Sequence, residues 1–157
     1  SFIHEQSLKG VRDPVVYEIA RKTLSRKCGN TWCTPERDSR AEVEAIFAEV
    51  RSRVRYTLDP VSWDGFATPQ KTLELGAGDC DDSASLLIAM LMSVGYECQS
   101  RVVWTRGNQT FNHIYVRCKM PDSTWMSLDP SVNKPAGWEV PSGMLMAAPR
   151  DFPVKTK

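Results

Sequence analysis

The sequence predicts an α+β fold from three observations: helical periodicity as far as residue 58, one helix-length segment without a polar face, and three strand-length segments in succession behind it. Asp13-Pro14 sets a helix start, with the acid at the N-cap and proline in the first turn. Val15, Val16, Ile19, Ala20 and Leu24 recur at helical spacing until Gly29-Asn30 stops the run. A second start is expected at Thr34-Pro35-Glu36. Behind it Val43, Ile46, Phe47, Val50 and Val54 form one stripe, with Glu42, Glu44, Glu49, Arg51, Arg53 and Arg55 on the other face.

Residues 59–79 read as irregular, punctuated by Asp59-Pro60, Thr68-Pro69 and Gly76-Ala77-Gly78. A connection that long inside a compact domain points to function, and this one carries Trp63 and Phe66. From Asp81 to Val94 the apolar run Leu86–Met92 leaves no polar face, so this helix is expected to be buried on nearly all sides, ending at Gly95. Residues 97–105, 111–119 and 124–129 follow as strands, the last two joined by a turn at Lys119-Met120-Pro121-Asp122-Ser123. Beyond Asp129-Pro130 the chain is proline- and glycine-rich and weakly patterned. No internal repeat is visible, and residues 1–157 read as one domain.

Composition narrows the function. Lys and Arg total 20 against 19 for Asp and Glu, a balance that offers no basic face for nucleic acid. No stretch reaches the ~20 apolar residues of a membrane span. The start, Ser1-Phe2-Ile3-His4-Glu5, shows no signal-peptide pattern. A cytoplasmic or virion-associated protein is the expectation, with a protein or peptide as partner, no membrane and no nucleic acid. The five cysteines are an odd number, which argues against a pure disulfide scaffold. Cys28 and Cys33 lack the further ligands that zinc requires. They read first as ordinary loop cysteines and second as a local disulfide. Cys98 and Cys118 fall in apolar alternating stretches and read as buried thiols.

Chemistry concentrates around Gly78-Asp79-Cys80-Asp81-Asp82-Ser83, at the head of the buried helix. There the helix dipole and its unpaired N–H groups favour a thiolate and can receive an oxyanion. Asp79, Asp81 and Asp82 oppose the thiolate, yet they are also what a helix N-terminus takes as caps. His113 stands outside the N-terminal tail on an alternating segment, sharing a face with Tyr115. A hairpin centred near Pro121 puts His113 opposite Asp129, so the acid could orient the ring toward the thiol. Cys, His and Asp in that arrangement form a base-activated nucleophile with its orienter. The acids beside Cys80 do not follow a calcium loop, which spaces its ligands around a central glycine and a distal glutamate. No metal or cofactor is expected.

Gly76–Asp82 with its apolar helix, Asn112-His113-Ile114-Tyr115-Val116 and Trp125–Pro130 together resemble the core of the transglutaminase-like superfamily, over roughly residues 40–135. The lead-in Tyr56-Thr57-Leu58-Asp59-Pro60 resembles that of compact bacterial and phage members. The resemblance implies a papain-like fold and the triad Cys80, His113 and Asp129. It implies acyl chemistry on amides through a thioester acyl-enzyme. An upstream aromatic or amide side chain is implied as an oxyanion partner, for which Trp63 and Gln70 stand as candidates, with Asp79 and Tyr115 as pocket candidates. The expected function is a cysteine peptidase or amidase. A transglutaminase or glutamine deamidase using the same triad is the alternative, and a non-catalytic structural or interaction module of the same fold is another. The segment 61–72 and the tail 134–154 are expected to shape the pocket.

Overall fold

Among the described residues five helices and eight strands are arranged so that one helix, α5, is wrapped by the others and by a sheet. The structure is a computed structural model and describes residues 2–35, 37–57, 68–106 and 112–155. Helices α1 (Phe2–Val11), α2 (Pro14–Leu24) and α3 (Ser39–Arg53) come first. The Asp13 carboxylate accepts the Val15 N–H at the head of α2, as the Asp-Pro pair predicts. That helix stops at Leu24 rather than at Gly29-Asn30. The glycine and asparagine instead turn a two-stranded hairpin, β1 (Lys27–Cys28) and β2 (Thr31–Trp32), with Gly29 at φ +70°. A Cys28–Cys33 disulfide closes this exposed hairpin. The loop-cysteine reading is corrected accordingly: the turn folds the chain back and brings the two Cα atoms to 4.8 Å, within disulfide reach.

Helix α3 begins at Ser39, capped by Asp38, and not at Thr34-Pro35-Glu36. Its predicted stripe holds: Val43, Ile46, Phe47 and Val50 are buried. The expectation of an irregular stretch over 59–79 is overturned for its second half. Thr68 caps α4 (Pro69–Leu75), Gly76 ends it at φ +66°, and β4 (Ala77–Gly78) pairs in parallel with β3 (Arg55–Tyr56). Seven residues sufficed for this helix because a proline opens it and a left-handed glycine closes it. Trp63 and Phe66 lie outside the described residues.

Helix α5 (Cys80–Ser93) packs against α1, α2, α3, α4 and the sheet. Leu86, Leu87, Ile88, Ala89, Met90 and Leu91 are fully buried, as a helix lacking a polar face requires. Each large side chain buried this way contributes about 1.5–3 kcal/mol. The approach of α1 is close: a Cβ on Gly10 would stand 2.6 Å from the Ala89 Cβ.

The main sheet runs β7-β6-β5-β8, with β5 at Cys98–Trp104, β6 at Asn112–Lys119, β7 at Trp125–Leu128 and β8 at Arg150–Val154, all antiparallel. The edge strand β8 arises from the weakly patterned tail, where burial alternation is lost because only Val154 is covered. Ile114, Val116 and Cys118 face α5. The opposite face carries Tyr115, Arg117 and Arg101, and the tail covers it. Arg101 pairs with Asp151 at 2.7 Å and Glu139 at 3.7 Å, and Arg117 reaches the same two acids. The tail therefore backs the sheet, where the sequence suggested a pocket wall.

Candidate active site

Asp79 is the N-cap of α5, and it shares a capping box with Asp82. The Asp79 carboxylate accepts the Asp82 N–H at 3.1 Å, and the Asp82 carboxylate accepts the Asp79 N–H at 3.2 Å. Gly78 lies so close beneath Asp82 that a Cβ there would stand 2.7 Å from the Asp82 Cβ. A backbone this tight fixes Cys80 as the first residue of the helix. Asp79 is thus a cap rather than a pocket residue.

The strands explain what meets the sulfur. The Lys119 N–H donates to Glu97 O at 2.9 Å, so residues 97 and 119 form a hydrogen-bonded rung. Rungs alternate along an antiparallel pair, which makes Val102–Ile114 a non-hydrogen-bonded one and turns the Ile114 N–H away from β5. It points toward β7. That strand pairs Leu128 with Val116 and ends there; the next such rung would oppose Ile114 to Pro130. The Ile114 N–H is left facing the Cys80 sulfur, whose anion it favours.

The same register corrects the hairpin. The turn is centred near Asp122, one residue beyond Pro121, so the rung opposite His113 falls on Ser131 and Asp129 lies diagonally. A displacement of two residues preserves the face. His113 Nε2 and Asp129 Oδ2 are 2.5 Å apart. The other carboxylate oxygen, Oδ1, accepts the Ser131 N–H at 3.1 Å and the Ser131 hydroxyl at 2.8 Å. Asp129 is 2% exposed and the His113 side chain 13% exposed. The acid is held in an Asx turn by Pro130-Ser131, so the turn that ends the strand also orients the carboxylate.

Electrostatics at the sulfur reverse the expectation drawn from the helix dipole. Burial first, and then the charge of Asp81, push the Cys80 thiol up to about 12; Asp79 and Asp129 push the same way, while the Ile114 N–H pulls down. Cys80 is 5% exposed, so desolvation outweighs the half-charge of a helix end. Asp81 takes the thiol proton's side at 3.9 Å. Burial, followed by the charge of Asp79, raises its carboxyl above the ordinary 3.8, while Cys80 and His113 draw it back.

Tyr115 is 1% exposed and lies beneath the site, its hydroxyl receiving the Arg101 guanidinium and the Val140 N–H. Its ring centroid is 5.9 Å from that of His113, so it backs the imidazole instead of lining a pocket. Gln70 sits half-buried in the first turn of α4 and makes no hydrogen bond among the described residues. Trp63 lies outside the described residues. Tyr56, which the sequence presents only as part of the lead-in, does reach the cluster. Its strand pairs with Gly78, and the Thr57 N–H donates to Gly78 O at 2.9 Å. Burial and then the charges of Cys80, Asp79, Asp129 and Asp81 make the phenol hold its proton more tightly than usual. The parallel β3–β4 pairing, a contact between distant segments, is what local pattern could not reveal.

Among the described residues no group of His, Cys, Asp and Glu is placed to hold a metal ion. A cavity of about 830 Å³ lies elsewhere, between the start of α3 and the β6–β7 turn, lined by Arg37, Trp125 and Glu139.

The family model of the transglutaminase-like superfamily matches residues 22–130. The chain belongs to the transglutaminase-like superfamily. No curated protein sequence matches it. Among solved structures it is similar in fold to a candidate cysteine protease from Cytophaga hutchinsonii, at 16% identity and a TM-score of 0.60, covering 89% of this chain and 40% of that one. A candidate protease from Parabacteroides distasonis matches at 18% identity and TM-score 0.58, over 84% of this chain and 25% of that one. Calcium-bound Legionella pneumophila LapG matches at 18% identity and TM-score 0.53, over 76% of this chain and 75% of that one. The chain thus spans less than half the length of the first two. These likenesses show a shared fold of mixed helices and antiparallel sheet.

Proposed function

We propose that the chain is a cysteine hydrolase acting on a peptide or carboxamide carbonyl, with Cys80 as nucleophile, His113 as base and Asp129 as orienter. The observation that carries the reading is the 2.5 Å His113–Asp129 contact beside the rung whose N–H faces the sulfur. Membership of a superfamily that includes cysteine enzymes supports it.

With the thiol held up to about 12, a resting thiolate is disfavoured. Proton transfer to His113 accompanies attack, and Asp129 stabilises the imidazolium that forms. The sulfur bonds to the carbonyl carbon, the C–N bond breaks, and His113 returns the proton to the departing amine. Water then attacks the thioester, losing its proton to His113 and releasing the carboxylate. The developing oxyanion stands among carboxylates, so only neutral donors suit it: the amides of the first turn of α5 and the Tyr56 hydroxyl. Transfer to an amine in place of water is the transglutaminase variant of the same cycle.

A second reading, a non-catalytic module of this fold, draws on the same thiol. A nucleophile 5% exposed and ringed by Asp79, Asp81 and Asp129 is what disuse would also leave. An electrophilic amide probe separates the two readings. The enzyme reading expects labelling of Cys80 that Cys80→Ala abolishes and His113→Ala slows by ~10²-fold or more. Labelling that survives Cys80→Ala, or is indifferent to His113→Ala, would refute it.

A further inference from the structure

Two other thiols lie in the core, away from this site. Cys98 on β5 and Cys118 on β6 are directly paired in the antiparallel register and are 1% and 0% exposed. They stand five residues along β6 from His113, about 17 Å at strand spacing. The kind of rung they occupy follows from a neighbour. The Lys119 N–H donates to Glu97 O, which makes residues 97 and 119 a hydrogen-bonded rung and residues 98 and 118 a non-hydrogen-bonded one. On such a rung the Cα atoms lie about 4.5 Å apart and the side chains lean together. That spacing falls inside the window of roughly 4.4–6.8 Å that a disulfide spans.

We infer that Cys98 and Cys118 form a second disulfide site, closing across β5 and β6 when the chain meets a small-molecule disulfide or a thiol–disulfide oxidoreductase. One cysteine thiolate attacks the disulfide RS–SR, releasing RS⁻ and leaving a mixed disulfide. The second thiolate attacks the mixed disulfide, forms the Cys98–Cys118 bond and releases the second RS⁻. The two cysteine protons end on the released thiols, the cysteines lose two electrons, and the external disulfide gains them. The rung geometry needs no backbone rearrangement.

Burial decides when this happens. Both sulfurs lie under α5, and the neighbouring Cys118 first, then burial, hold the Cys98 thiol far up. Exchange therefore proceeds while the sheet is forming or locally open, and is slow in the closed fold. Cys28–Cys33 is already paired, in an exposed hairpin, so closure of the second pair leaves Cys80 alone as a thiol. The two oxidation events thus spare the proposed nucleophile.

The test is oxidative refolding. The chain is reduced, unfolded and refolded in glutathione buffers from fully reduced to strongly oxidised. Remaining thiols are then trapped with a maleimide in denaturant and mapped by mass spectrometry. The expected result under oxidising buffer is a single trapped thiol, Cys80, with the peptides around residues 98 and 118 joined. The melting temperature should rise by roughly 6–10 °C over the form holding Cys28–Cys33 alone. Cys98→Ala should lose that rise. Three trapped thiols even in the most oxidising buffer, a link from Cys98 or Cys118 to any other cysteine, or a rise that persists in Cys98→Ala would overturn the inference. None of these readouts depends on turnover, so failure here leaves the proposed activity untouched, and the reverse also holds.

Discussion

Two clusters of charge, one against the tail-covered face of the sheet and one at the head of α5, are built on opposite terms. On the side covered by the tail, Asp151 and Glu139 meet Arg101 and Arg117, and the cross-links tie β8 and the tail to the sheet. At the head of α5, the charges acting on Cys80 are those of Asp81, Asp79 and Asp129, all of one sign as that of the anion the sulfur would become. The first cluster stabilises the native state directly. The second holds the thiol protonated and makes its deprotonation wait for a base. Charges of opposite sign placed together fix a structure; charges of like sign placed around a thiol keep it protonated.

The contrast is broken most strongly at Asp129, the one acid that serves the imidazole. Asp129→Asn should cut turnover of an amide substrate by ~10³-fold or more, since the ring loses its orienter. Steady-state kinetics on the folded variant would show it, and full activity would exclude the triad. Next in size is the cluster against the tail. Arg101→Met strips Asp151 and the Tyr115 hydroxyl of a partner, and should cost roughly 1–3 kcal/mol, read as a lowered melting temperature, with the partial exposure of Asp151 keeping it below a fully buried pair. Asp81→Asn works the other way. Removing a like charge from beside the sulfur should speed alkylation of Cys80 at fixed pH by roughly 3–10-fold. In the unmodified protein that alkylation rate should keep climbing with pH beyond 9, without a plateau near neutrality, because the thiol lies at about 12.

The smallest effect is acid-linked. Arg101 holds the Asp151 carboxyl below its ordinary 3.8, so the associated stability is present above that value and is lost as pH falls through the lowered folded value. Unfolding midpoints measured from pH 6 down to pH 2 should fall less steeply in Asp151→Asn. An identical slope in the two proteins would mean that the pair is decoupled from folding.

Much of this architecture could be read from local pattern. The Asp13-Pro14 cap, the Val43–Val50 stripe, the apolar run of α5 and the three strands all rest on spacing within one segment. Cys80 at the helix head and the His113–Asp129 pairing were legible for the same reason, the latter because a two-residue error in register leaves both side chains on one face. What escaped depends on contacts between segments. Helix α4 was concealed by the turn formers that bracket it, and β8 by a tail whose only covered strand residue is Val154. The Cys28–Cys33 bond followed from a hairpin that the helical reading ran through. Tyr56 joins the site only through the parallel pairing of two-residue strands. The thiol's protonation was misjudged because burial cannot be weighed against a helix dipole until the depth of the sulfur is known.

The early end of β7 carries a consequence for how this chain can vary. Because β7 ends at Leu128, one rung short of Ile114, the length of the 120–124 connection acts as a ruler for the N–H that faces the sulfur. An insertion of a single residue there would turn Asp129 to the wrong side, and a pair of insertions would keep its side but slide the end of the strand off its mark. Relatives that preserve this chemistry should therefore tolerate substitutions in the turn far better than changes in its length.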